Sequence, residues 1–100
     1  MAIKSFSIPT STAVFTSTYV MEDKHPVMCV SHSMDGEWIF QCGNHGFSAK
    51  SAMVVDLAYM LHFDRTLEEV SDLPLHHFAT RGFVGDTWTY REKPSIDLNF

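Results

Sequence analysis

The sequence has few cysteines, few basic residues and no long apolar run. The two cysteines, Cys29 and Cys42, are too few for the disulfide framework of small secreted domains. Only 7 Lys and Arg residues stand against 12 Asp and Glu, so the formal net charge is −5 and a phosphate-binding surface has little to draw on. No segment approaches the roughly 20 apolar residues of a membrane span, and the first residues do not resemble a secretory signal. We therefore expect no nucleic-acid partner, no membrane partner and a cytoplasmic location.

The composition that remains is that of a globular protein. Of the 100 residues, 45% are hydrophobic and 19% are charged, and a chain of this length matches the commonest domain size. We expect a single domain over residues 1–100, in which 1–10 and 94–100 are the candidates for flexible ends.

The apolar pattern predicts an α+β fold. Five segments have the β-branched composition or the alternation of strands: 12–20, 27–32, 37–42, 76–81 and 87–91. Between them, apolar residues recur at helical spacing over about 48–63, and Thr66 with Glu69 forms a capping box for a short helix over about 67–72. We expect an antiparallel sheet of about five strands with both helices packed on one face.

The Asp35-Gly36 pair predicts a hairpin turn, and two pairings of its strands are open. A two-residue loop would place Cys29 opposite Cys42, close enough for a disulfide or a shared ion. A three-residue loop, with Gly36 in the left-handed conformation, would instead gather Trp38 and Phe40 on one face. Exposing such large side chains would cost several kcal/mol, at about 1.5–3 kcal/mol each. The three-residue loop is therefore favoured, with the two thiols on opposite faces and Cys42 in the core.

One possible chemical site involves Cys42, His45 and His32. Two residues separate Cys42 from His45, a spacing common among metal ligands, and the backbone amides of Gly43–Gly46 could support thiol catalysis. The chain has no CxxC and no HxxxH pattern, and Cys42 is predicted to point inward. We therefore expect no metal and no cofactor, and keep a small metal- or thiol-dependent enzyme at these residues as the alternative.

A possible binding surface lies at one end of the predicted sheet. Arg81, Trp88 and Tyr90 are expected there together with Asn44 and His45 of the loop between the hairpin and the helix, and such loops often hold function. The other interpretation is structural. In that case the arginine pairs with a nearby acid, with Asp86, Glu92 and Asp72 as candidates, and the aromatic residues belong to the core.

Two motifs resemble those of known proteins. The hairpin segments 27–32 and 35–43, followed by DRTLEEVSDLP at 64–74, resemble a group of small bacterial proteins of unknown function. The layout is also distantly similar to immunity proteins of bacterial polymorphic toxins. Neither resemblance supplies a catalytic motif for these residues. Because catalytic and cofactor motifs are absent and the chain is acidic, we expect a non-catalytic protein that binds another protein, in an immunity-like or regulatory role. A homodimer through an unpaired strand edge is a further possibility.

Overall fold

A computed structural model describes residues 4–43 and 48–94 of the chain. Over these residues the fold is α+β, with one open sheet and three short helices. The strands are β1 (Ala13–Ser17), β2 (Cys29–His32), β3 (Trp38–Gln41), β4 (Ala52–Asp56), β5 (His77–Thr80) and β6 (Thr89–Glu92). The helices are α1 (Thr18–Met21), α2 (Leu57–Phe63) and a 3-10 helix (Arg65–Val70).

The six strands lie in the order β4-β1-β3-β2-β5-β6. β1 and β3 are parallel, and every other neighbouring pair is antiparallel. The sheet is therefore mostly antiparallel, as predicted, but it has one strand more than the expected five.

The additional strand, β4, corrects the predicted helix over 48–63. Ala52–Asp56 pairs in full with β1, and the helix begins only at Leu57. Consecutive Met53, Val54 and Val55 fit a strand better than a helix, because β-branched residues pack well on a pleated surface. Asp56 is extended, with φ −72° and ψ 149°, and it ends the strand as the N-cap of α2.

Two other predicted boundaries also move. The first strand was expected to run to Val20, but it ends at Ser17, whose hydroxyl accepts a hydrogen bond from the Val20 N–H at 3.3 Å and so caps α1. The short helix begins at Arg65 and is 3-10 rather than α. Its cap is Asp64, which accepts the Thr66 N–H at 2.9 Å, so the predicted Thr66 capping box does not form.

The predicted hairpin register is confirmed. Val30 pairs with Phe40 and His32 with Trp38, across a turn in which Gly36 has a φ of 87°. Both cysteines are free, and they lie on opposite faces of the sheet: Cys42 is 2% exposed in the core, whereas Cys29 is half-buried on the other side.

One face of the sheet carries the core. Strand residues that point to this face pack against the helices, and fully buried members include Val14, Val30, Phe40, Ala79, Leu57, Met60, Leu67 and Val70. Residues 1–3 and 95–100, within the ends predicted to be flexible, lie outside the described residues. None of the helices in the described part of the chain has the length and apolar character needed to cross a bilayer.

Candidate functional site

Arg81 follows β5 and is buried beneath the predicted binding surface. Its side chain is inaccessible to solvent, and it pairs with Asp64 through an Nη2 to Oδ2 distance of 2.8 Å. Nε and Nη2 also donate to the Val27 carbonyl at 3.1 and 2.9 Å, and Nη1 donates to the Thr66 hydroxyl at 2.8 Å. A guanidinium with its donors occupied in this way holds the helical layer on the sheet and is not available to a binding partner.

The acid that pairs with Arg81 was not among the predicted ones. Asp64 stands at the junction of α2 and the 3-10 helix, where its other carboxylate oxygen accepts hydrogen bonds from the Thr66 N–H and hydroxyl at 2.9 and 2.5 Å. One aspartate thus caps a helix and neutralises a buried cation. Sequence reasoning considered Asp86, Glu92 and Asp72 because they are closer to the final strands.

Trp88 lies directly against this buried cation. The Arg81 guanidinium carbon is 4.2 Å from the centre of the Trp88 ring, a cation–π contact. The indole Nε1 is buried and has no hydrogen-bond partner among the described residues. One face of the Trp88 ring thus covers the Arg81 guanidinium, and Trp88 also has surface that is open to solvent.

The outward side of Trp88 forms part of an open groove of about 640 Å³. We call this "the groove"; its lining residues are Lys4, Glu69, Gly85, Asp86, Thr87, Trp88 and Tyr90. The structure thus brings two of the predicted residues, Trp88 and Tyr90, into one concavity. Its walls come from the N-terminal segment, the 3-10 helix, the connection between β5 and β6, and β6 itself.

A polar network surrounds the hydroxyl of Tyr90, one of the residues that line the groove. The Tyr90 hydroxyl makes a short hydrogen bond to the Asp72 carboxylate and lies 3.1 Å from the Glu69 carbonyl. Lys4 reaches the same carboxylate at 3.1 Å. The hydrogen bond from Tyr90, and secondarily Lys4, lowers the pKa of Asp72, whereas burial and the nearby Asp72 carboxylate raise the pKa of Tyr90.

Two exposed apolar side chains lie beside the groove, on the turn formed by residues 82–87. Phe83 is 61% exposed and Val84 50% exposed. The turn is held by Asp86, whose carboxylate accepts the Gly82 N–H at 2.9 Å and whose own N–H donates to the Phe83 carbonyl at 3.0 Å. The apolar pair is therefore fixed on a short hydrogen-bonded turn, and together with the groove it forms what we call the turn surface.

Asn44 and His45, the other predicted binding residues, lie outside the described residues. The last described residue before them, Gly43, approaches Met28 closely, since a Cβ added to Gly43 would lie 3.1 Å from the Met28 Cβ. The N–H of Arg81 donates to the Met28 carbonyl at 3.1 Å. Gly43 and the start of the 82–87 turn thus lie at the same end of the sheet.

The two described members of the alternative metal or thiol site do not come together. His32 pairs with Trp38 at one end of the hairpin, and Cys42 follows Trp38 by four residues at the other end. At 3.3 Å per residue, this separation is about 13 Å. The His32 ring stacks on Trp38 at 3.9 Å, and its Nδ1–H donates to the Leu73 carbonyl at 2.7 Å. His45 lies outside the described residues. Among residues 4–43 and 48–94, no three His, Cys, Asp or Glu side chains are grouped to hold a metal ion.

Phe83 and Val84 are the surface residues that sequence reasoning missed. Two adjacent apolar residues between Gly82 and Gly85 are an available signal, because such a connection has no strand or helix in which to bury them. Comparison of the chain with protein-family models, with curated proteins and with solved structures finds no match.

Proposed function

We propose that this protein is a non-catalytic module of the bacterial cytoplasm that binds another protein through the turn surface, in an immunity-like or regulatory role. The observation that carries the proposal is the exposure of Phe83 and Val84 on a turn that is already ordered. Exposed apolar side chains beside a groove, rimmed by polar residues, are typical of protein-interaction sites. Because the turn is held by Asp86, little conformational entropy is lost on binding.

The charge around the groove favours a partner with basic residues. Glu69 and Asp86 are acidic residues that line it, the exposed Asp72 bonds to the Tyr90 hydroxyl, and Lys4 pairs with Asp72. An apolar centre with a charged rim is the usual arrangement of a protein interface. Trp88 would supply the aromatic contact that often dominates binding energy.

The test compares three forms of the protein as bait. The wild type, a Phe83→Asp/Val84→Asp variant and a Met34→Asp variant are immobilised, and proteins retained from the source cell are identified and then purified for calorimetry. Met34 is 65% exposed, but it stands on the hairpin turn at the opposite end of the sheet and so is a matched control. We expect one partner to bind the wild type and the Met34→Asp variant equally, and the double variant at least about tenfold more weakly.

Equal affinity for all three baits would overturn the proposed surface. Failure of every bait to retain a specific protein would overturn the proposed function. A second copy of the chain is proposed as an additional partner, through a different part of the molecule.

A further inference from the structure

The two edges of the sheet differ in how they are protected against pairing. β6 carries Arg91 and Glu92, which are exposed, and charged residues are a common device that prevents edge association. β4 has a run of four apolar residues and a single charge, Asp56, at its end. Val54, at the centre of β4, is 60% exposed.

The hydrogen bonds of β4 show which backbone groups remain available. The Ser51 carbonyl and the Leu57 N–H bond to the residues that flank β1, at 2.8 and 2.9 Å. In an antiparallel pair the bonding residues alternate, so Ala52, Val54 and Asp56 direct their backbone groups to the free edge. Asp56 is the N-cap of α2, and the carbonyl of such a residue accepts the first bond of the helix. Among residues 4–43 and 48–94, no strand pairs with this edge, so the Asp56 N–H and both backbone groups of Ala52 and Val54 are directed to a position that a neighbouring strand can occupy.

We propose that two copies of the protein pair through β4, antiparallel, about a two-fold axis that passes beside Val54. Each Val54 then exchanges both backbone hydrogen bonds with the Val54 of the second copy. Each Asp56 N–H donates to the Ala52 carbonyl of the second copy. The two sheets thereby become one continuous sheet with a self-complementary junction.

The side chains agree with this register. On the face away from the core, the Val54 side chain contacts the Val54 side chain of the second copy. Asp56 stands opposite Ala52 of the second copy rather than opposite another acid. On the core face, Met53 stands opposite Val55 of the second copy, and both already pack at the margin of the core. Shifting the register by two residues leaves either Ala52 or Asp56 without a partner.

A second copy fits this edge better than an unrelated extended peptide does. The chain supplies a β-branched partner for Val54 and an uncharged partner for Asp56 by symmetry alone. A five-residue strand is about 17 Å long, and an edge contact of this length buries less than the roughly 1,200 Å² of stable interfaces. The dimer is therefore weak and forms as the protein concentration rises.

Sedimentation velocity of the purified chain from about 10 µM to about 1 mM tests the proposal, because a weak dimer has a Kd in this range. We expect the wild type to shift from monomer to dimer. Val54→Lys should remain monomeric at every concentration, because two lysines then meet at the axis. Thr89→Lys is the matched control, since it adds the same charge at an exposed position on β6, and it should dimerise like the wild type.

A charge-swap experiment fixes the position of the axis. Val54→Asp alone should also be monomeric, whereas a mixture of the Val54→Lys and Val54→Asp variants should form a heterodimer, because opposite charges then face each other. A wild type that stays monomeric to about 1 mM, a dimer that survives Val54→Lys, or a mixture that fails to associate would each overturn the proposal. The Phe83→Asp/Val84→Asp variant should dimerise normally, so the outcome is distinguishable from that of the proposed function.

Discussion

The central carbon of the Arg81 guanidinium lies 4.2 Å from the centre of the Trp88 ring, within the range of a cation–π contact. Its nitrogens meanwhile bond to Asp64, Thr66 and the Val27 carbonyl. One side chain thus joins the end of β5 to the helical layer and to the segment before β2. The surface on which Trp88 and Tyr90 are displayed depends on this buried cation for its position.

Replacing Arg81 with lysine should strongly destabilise the protein. A lysine ammonium cannot reproduce the planar set of bonds to Val27, Thr66 and Asp64, and it leaves a buried carboxylate poorly paired. We expect the free energy of unfolding to fall by about 2–4 kcal/mol, measured by urea denaturation. The matched control is Arg91→Lys, at an exposed position on β6, which should change stability by less than about 0.5 kcal/mol. Similar values for the two variants would contradict the structural role of Arg81.

Alanine substitutions at Gly36 and Gly43 should distinguish the cost of backbone strain from the cost of steric crowding. Gly36 and Gly43 have φ values of 87° and 86°, which disfavour any residue with a Cβ. A Cβ at Gly36 would meet no atom within 4 Å, whereas one at Gly43 would lie 3.1 Å from the Met28 Cβ. Gly36→Ala should therefore cost about 1 kcal/mol from strain alone, and Gly43→Ala should cost more. Thermal unfolding of both variants gives the order, and the reverse order would contradict the packing of Met28 against Gly43.

The hairpin was predictable because its determinants are local. The Asp35-Gly36 pair indicates the turn, and the alternation of Trp38 and Phe40 selects the face, so the register follows from about a dozen residues. β4 was not predictable in this way. Its residues 52 and 53 satisfy both the helical and the strand period, and its partner β1 lies far away in the sequence. Pairing with β1 decides the outcome, and the consecutive apolar residues Met53, Val54 and Val55 are a local signal that the helical spacing over 48–63 outweighed.

The site was predictable only in its position. Trp88 and Tyr90 line one groove, whereas their alternation in the sequence is equally typical of residues in the core of a sheet. The burial of Arg81 could not be inferred, because it depends on where the junction between α2 and the 3-10 helix brings Asp64. The position of that junction follows from where β4 ends and α2 begins, and the helical spacing over 48–63 predicted a helix in place of β4.

The two thiols should differ in reactivity and should not form a disulfide within one molecule. Cys42 is 2% exposed, and burial raises the pKa of the half-buried Cys29, so little reactive thiolate is present near neutral pH. We expect slow labelling of Cys29 by a thiol reagent in the native protein, and labelling of Cys42 only after unfolding, with mass spectrometry identifying each site. Cys29→Ser should abolish the native labelling, and Cys42→Ser should leave it unchanged. A monomeric disulfide after mild oxidation would contradict their placement on opposite faces.

The hydrogen bond between Tyr90 and Asp72 should make stability depend on pH. In the folded protein this bond lowers the pKa of Asp72, so ionisation of Asp72 favours folding. The contribution is present above the ordinary pKa of about 4 and is lost as the pH falls through the lowered value. Tyr90→Phe should therefore reduce the free energy of unfolding by about 0.5–1 kcal/mol at pH 7, a modest amount because Asp72 is largely exposed.

The loss caused by Tyr90→Phe should shrink as the pH falls below about 4, where Asp72 of the unfolded chain becomes protonated, and it should vanish below the lowered pKa of Asp72 in the folded wild type. Above pH 10, ionisation of the Tyr90 phenol determines how the stability of the wild type changes with pH. The raised pKa of Tyr90 keeps it protonated in the folded state, so the wild type loses stability as the pH rises past the ordinary tyrosine value of about 10. Urea denaturation at several pH values measures both trends. Tyr59→Phe, at a tyrosine that is 52% exposed on α2, is the control, and an equal pH dependence in the two variants would show that the hydrogen bond to Asp72 does not stabilise the groove.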